Sequence, residues 1–217
     1  MSVVTSYHGN MRRGSSTVVA LVGDFGAELL RHLNKPSNVT VLEPSGPGLE
    51  ASFEAFVQAG RRLAPYAVVA ADPLGELAAE WRRMWTVGSS GNEFEERAGE
   101  AIAAWRKGRL EMPDYYLVIV DEPATAIQPV SPEPHEYDFH LGVLRSQRPS
   151  RVAEVVAAEA AETAARTLHA LAHLPQGPWW PSVDRLVDVI RSYFPGRLTA
   201  ATERGSSSAY EQALTLG

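Results

Sequence analysis

Cysteine is absent from this chain and lysine nearly so: of 20 basic residues only Lys35 and Lys107 are lysine, the other 18 being arginine. Without cysteine there are no disulfides, thiolate metal ligands or cysteine nucleophiles. The shortage of lysine narrows the chemistry further, because a phosphate-loop lysine, a Schiff base or a lysine general base has only two positions to occupy. Neither lysine follows a glycine, so the chain has no G-x-x-x-x-G-K-[ST] loop to cradle nucleotide phosphates. A G-x-S-x-G serine-nucleophile turn is missing as well.

Long apolar runs are also lacking. No window reaches the roughly 20 apolar residues that span a bilayer. The N-terminus, MSVVTSYHGNMRRGSS, has no uninterrupted apolar segment of the signal-peptide kind. A soluble, cytoplasmic protein with no membrane partner is expected. The net charge of −6 argues against broad binding to a phosphate backbone, so nucleic acid is not an expected partner.

What is present is enough apolar material for a large core: 217 residues, 45% of them hydrophobic. Residues 1–15 are polar and read as a mobile arm, 16–198 as a single α/β domain, and 199–217 as a weakly ordered tail. Thr17–Val22 (TVVALV) is a β-branched run with the character of a buried strand. A turn with Gly23 and Gly26 follows, then a helix with Leu29, Leu30 and Leu33 at helical spacing. VTVL at 39–42 is a second strand ending on Glu43, and a helix follows from Leu49 to about Leu63. VVAA at 68–71 is a third, closed by Asp72 and Pro73, and two helices follow, from Leu74 to Trp85 and from Asn92 to about Lys107. YYLVIV at 115–120 is the fourth strand, ending on Asp121 and Glu122.

Beyond it, four prolines within 123–134 make a stiff flap. The spacing then predicts a strand over Tyr137–Leu144, a long alanine-rich helix capped by Ser150 and running to about His173, and a last helix from Ser182 to about Phe194. Strands that are apolar throughout and separated by helices belong to a mostly parallel sheet covered on both faces. The expected architecture is therefore α/β, a three-layer Rossmann-like fold with a helical C-terminal third. Ligands in such folds lie at the carboxyl ends of the strands, near the point where strand order reverses.

The stretch YYLVIVDEP has the form of a magnesium-holding strand in a nucleotide hydrolase, yet no lysine loop accompanies it. Asp121 and Glu122 then either end a buried strand as the chain meets water or face a ligand at the rim. In LVGDFGAELL, Gly23, Asp24 and Gly26 lie between strand and helix, where a small turn lets a ligand approach the backbone and the helix start favours phosphate or carboxylate. Glu43 closes the second strand about twenty residues on, the position of a carboxylate that accepts ribose hydroxyls, and Asp72 closes the third, within reach of an adenine edge.

In order, LVGDFGAEL, VTVLEP, VVAADP and DYYLVIVDEP resemble the glycine turn, ribose strand, adenine side and substrate-bordering strand of class I S-adenosylmethionine-dependent methyltransferases, over Val18 to Pro123. The likeness implies S-adenosylmethionine as cofactor, held by Gly23, Asp24, Gly26, Glu43 and Asp72, with Asp121 and Glu122 facing the methyl acceptor. In this chain Asp24 follows Gly23, where the family's acidic residue precedes the glycine, and two helices instead of one separate Asp72 from the fourth strand. A nicotinamide cofactor fits the same Gly23, Gly26 and Glu43 pattern.

Other clusters admit both functional and structural readings. His135, Glu136, Asp138 and His140 offer N and O metal ligands or a polar strand face. His169 and His173 have metal-ligand spacing on one helix, but their place near its C-terminus favours a structural role. Arg145, Arg148 and Arg151 lead into the helix start at Ser150 and form either an anion site or a solvated loop. Trp179 and Trp180 pack on the sheet, roof a pocket, or anchor a partner or a second copy. With its glycine turn degraded, the same fold reads as an interaction or accessory protein.

Overall fold

The computed structural model describes residues 16–23, 25–34, 38–62, 64–86, 91–121, 137–171 and 182–192. Among the described residues the buried apolar runs form five strands: β1 (Thr17–Gly23), β2 (Val39–Leu42), β3 (Tyr66–Val69), β4 (Tyr115–Val120) and β5 (Val152–Val156). All pairings are parallel and the order across the sheet is β2-β3-β1-β4-β5. β1 is central, with Ala20 opposite Val69 on one side and Tyr116 on the other. Its residues from Val18 to Leu21 are at most 1% exposed, as expected of a strand covered on both faces.

The helices are α1 (Ala27–Leu33), α2 (Leu49–Gly60), α3 (Gly75–Thr86), α4 (Gly91–Arg106), the short α5 (Arg145–Gln147), α6 (Ala160–Leu171) and α7 (Val183–Ser192), with a π-helical segment over Phe139–Leu144. Alternation along the strands divides the core in two. Val18, Ala20, Tyr116 and Val118 pack with Phe56 of α2, Trp81 of α3, Phe94 of α4, Phe139 of the π-helix and Leu186 of α7. Val19, Leu21, Leu117 and Ile119 pack with Leu29 and Leu33 of α1 and Ala164 and Leu168 of α6. These are the three layers of a Rossmann-like α/β fold.

Strand order follows from which face each connection uses. The connection from β1 to the edge strand β2 passes over the α1 face. Those from β2 to β3, β3 to β4 and β4 to β5 run the opposite way across the sheet and use the other face. A single crossover hand requires that division. The β3-to-β4 connection must also pass over β1, two strand spacings or about 10 Å, which the α3 and α4 pair spans.

Two expected elements differ. Tyr137–Leu144 is not a strand: Phe139–Leu144 is π-helical and all six residues are buried. A short apolar run looks the same whether it is a strand or a fully buried helical turn, and packing on β4, β5 and α3 decides it. The long helix expected from Ser150 is instead a 3₁₀ turn (Pro149–Arg151), then strand β5, with α6 starting only at Ala160. β4 would otherwise present an open edge next to the core. Val152 and Val155 are buried on pairing with it, which outweighs the helix propensity of the surrounding alanines.

The amino end of the sheet is closed by a buried aspartate. Asp114 accepts the Val18 N–H at 2.8 Å through Oδ2 and donates its own N–H to Val18 O at 2.7 Å, extending the β1–β4 ladder. Arg151, 7% exposed, covers this end with its guanidinium 4.8 Å from the centre of the Tyr115 ring. The residues 1–15 and 199–217, the 123–134 flap, and Trp179 and Trp180 lie outside the described residues. No helix among the described residues is long and apolar enough to cross a membrane.

Candidate functional site

The chain reverses direction at β1: its connection leaves toward one face, while those of its neighbours β3 and β4 leave toward the other. The crevice of a doubly wound sheet opens at such a point, beyond the carboxyl end of the central strand, where the sequence places its candidate ligand residues. Gly23 ends β1 with φ +108°, and a methyl group there would overlap the Ile119 carbonyl of β4. The contact with β4 therefore accounts for this glycine within the sheet itself. Gly26, at the N-cap of α1, has φ −87° and open space where a Cβ would stand, so neither its conformation nor its neighbours require glycine.

Topology rearranges the carboxylates. In the doubly wound order 3-2-1-4-5, β2 lies against β1 and its terminal acid borders the glycine turn. Here β3 stands between them, so Glu43 is exposed at the sheet edge, two spacings from β1, and Asp72 is the acid beside the turn. Asp121 is exposed at the end of β4. Asp24 and Glu122 lie outside the described residues.

Asp72 is held by several protein groups. Its Oδ1 accepts the Leu74 N–H at 2.9 Å and the Tyr116 hydroxyl at 3.0 Å, and its Oδ2 is 2.7 Å from Nε2 of His140. With Pro73 next in sequence, Asp72 opens the turn that leads into α3, which begins at Gly75. Tyr116 is completely buried, and its phenol is pushed well above its ordinary pKa by burial first and by the adjacent Asp72 charge second. A carboxylate only accepts hydrogen bonds, which places the shared proton on His140 Nε2. His140 Nδ1 is buried and has no hydrogen-bond partner among the described residues.

The network adjoins a cavity of about 180 Å³ lined by Gly48, Leu49, Ser52, Asp72, Glu76 and Arg97, among others. It lies where the first turns of α2 and α3 meet the side of α4. Arg97 bridges Glu76 at 3.2 Å and Glu100 at 2.8 Å. These residues were not legible as a set: Ser52, Glu76 and Arg97 are ordinary amphipathic-helix positions until α2, α3 and α4 converge. The Asp72-Pro73 pair did carry a local signal, a turn-forming residue followed by proline just ahead of a helix.

The remaining clusters separate. Asp138 and His140 are two residues apart at the start of the π-helix, not on one strand face, and His135 and Glu136 lie outside the described residues. No group of three metal-ligating side chains occurs among the described residues. Arg145 pairs with Glu154 of β5 at 3.0 Å, Arg148 is exposed and Arg151 is buried against Tyr115, so the three arginines do not converge at a helix start. Nothing is described of the His169 side chain or of His173. Compared with known proteins, the chain matches no family model and no curated sequence.

Proposed function

We propose that this protein binds a small nucleotide-type ligand at the carboxyl rim of its sheet, and that S-adenosylmethionine, with methyl transfer as the reaction, is the first cofactor to test. The observation that carries the reading is the cavity beside Asp72, beyond the carboxyl end of β3. That is where α/β sheets receive ligands. At about 180 Å³ it is smaller than the roughly 300–1,000 Å³ of sites that enclose a whole drug-sized ligand. It suits one moiety, with the rest of the ligand running along the rim toward Gly26 and Asp121. Methyl transfer would then take place at the Asp121 side, with Glu122 beside it in sequence, and Glu43 would serve only a ligand long enough to reach the sheet edge.

Thermal-shift titration with S-adenosylmethionine, S-adenosylhomocysteine and the nicotinamide nucleotides tests the reading, because a ligand selective for the native state raises its melting point. A shift that Glu43→Ala removes supports ribose binding at the end of β2. No shift with any of these ligands would sink the cofactor reading. A second reading, a non-catalytic interaction protein, is favoured by one feature: Gly23 and Asp72 are both accounted for by internal contacts. It predicts flat titrations together with concentration-dependent size in light scattering.

A further inference from the structure

The first turn of α2 opens on the cavity without a capping side chain. Gly48, at its N-cap, has φ +98° and nothing to offer the turn, so the positive end of the helix faces the space ahead. A carboxylate from α3 stands there: a methyl built on Gly48 would lie 3.9 Å from Glu76 Oε1, and Glu76 Oε2 lies 3.2 Å from Arg97. A helix start flanked by a guanidinium is an environment for an oxyanion. The side chain that holds it is 52% exposed and has water to swing into.

Ser52 is the second, independent observation. It is 9% exposed and lines the cavity one turn into α2, and its hydroxyl makes no hydrogen bond to a described residue. A buried polar group left open to a cavity points to a ligand or solvent that satisfies it.

The other carboxylates do not make this a cation site. Asp72 accepts from Leu74 and Tyr116 and pairs with His140, and Glu100 is paired with Arg97 at 2.8 Å. Once Glu76 turns outward, the carboxylate left in the first turn of α2 is that of Glu50, which is exposed to water.

We propose that the cavity between α2, α3 and α4 is an oxyanion subsite in which the Glu76 carboxylate is a resident competitor. The bound group takes its place and meets the first-turn N–H groups of α2, the Ser52 hydroxyl and the Arg97 guanidinium. The inference rests on the nucleotide-type reading and names the moiety that enters first: the phosphate of a nucleotide or the carboxylate of S-adenosylmethionine.

Isothermal titration of the full chain at low salt, with sodium phosphate, adenosine diphosphate, S-adenosylmethionine and uncharged adenosine, tests it. Glu76→Gln keeps the shape of a half-exposed side chain and removes its charge, so oxyanion binding tightens by about two- to fivefold, the range of one exposed ion pair. Adenosine affinity does not change, and Ser52→Ala and Arg97→Gln weaken oxyanion binding. Tightening for phosphate and the diphosphate identifies a phosphate source, and tightening for S-adenosylmethionine alone identifies the carboxylate. No oxyanion binding, unchanged or weaker binding in Glu76→Gln, or magnesium binding that Glu76→Gln removes would each overturn the proposal. If nucleosides bind while Glu76→Gln changes nothing, the subsite falls and the nucleotide reading stands. If phosphate alone binds and tightens, the subsite stands and the nucleotide reading falls.

Discussion

Replacing Gly23 by alanine measures how much of the glycine turn belongs to the sheet and how much to a ligand. At φ +108° an L-residue stands in a region that costs about 1–3 kcal/mol. The added methyl also overlaps the Ile119 carbonyl, which is backbone of a central strand and cannot rotate away. Relief requires β1 to move from β4 at the end of a ladder that runs from Val19–Tyr115 to Gly23–Ile119. Together these effects put the loss at about 3–5 kcal/mol, at the upper end for single substitutions. For a chain of this length that corresponds to a fall in melting temperature of roughly 6–20 °C. Gly26→Ala is the control. Its φ of −87° is accessible to any residue and its Cβ meets nothing within 4 Å, so only the weaker N-cap preference for alanine is lost, below about 1 kcal/mol. Urea denaturation with a common slope gives both values. If Gly23→Ala retains wild-type stability, the account of the turn as sheet-imposed is wrong. If Gly26→Ala keeps its stability but loses the thermal shift, Gly26 is the glycine that a ligand approaches.

Three further outcomes are expected. Asp72→Asn loses charge-assisted acceptance from Tyr116 and His140 and costs roughly 3 kcal/mol in chemical denaturation; a loss under about 1 kcal/mol would show the network to be incidental. The raised phenol pKa of Tyr116 makes stability pH-dependent on the alkaline side. The native state holds this proton more tightly than the unfolded chain, so the contribution is complete below about pH 10, the unfolded value. It declines as pH rises toward the folded value. Tyr116→Phe removes that part of the alkaline decline, which denaturation curves at pH 8 and above read directly. Arg191 joins α7 to α4 through two bonds to Glu95, at 3.0 and 2.6 Å, and adds one to Asp188 at 2.9 Å. Lysine lacks the planar fork, but the side chain is 37% exposed, so Arg191→Lys costs only about 0.5–1 kcal/mol. A Glu95→Gln double-mutant cycle with no coupling would refute that joint.

Local patterns determine the α/β class and four of the five strands. TVVALV, VTVL, VVAA and YYLVIV are short apolar runs bounded by turn residues, each too short and too uniformly apolar to be an exposed helix; in the fold the third starts two residues earlier than its pattern, since β3 spans Tyr66–Val69. The helices between them declare themselves by spacing. Leu29 and Leu33 on α1, and Phe94 and Ala98 on α4, are buried as their periodicity requires, with Ile102 and Trp105 partly buried against the same core. What no local pattern contains is the order of strands in the sheet. Adjacent positions in the chain made β2 the natural neighbour of β1, whereas β3 takes that place. The fifth strand and the π-helix were hidden for a related reason: VAEVV and FHLGVL carry mixed local preferences, resolved only by an unfilled β4 edge and the space above it.

The rim of acids at the strand ends was therefore written in the sequence, but its geometry was not. Glu43 and Asp72 exchange distance from the β1 turn because strand order is set by crossover hand and by packing on two faces, which are properties of the whole chain. Asp72 stands beside that turn but is bound to Leu74, Tyr116 and His140, and the last two lie 44 and 68 residues away. The cavity next to it exists because the first turns of α2 and α3 meet α4, a convergence of elements that only the folded sheet brings together.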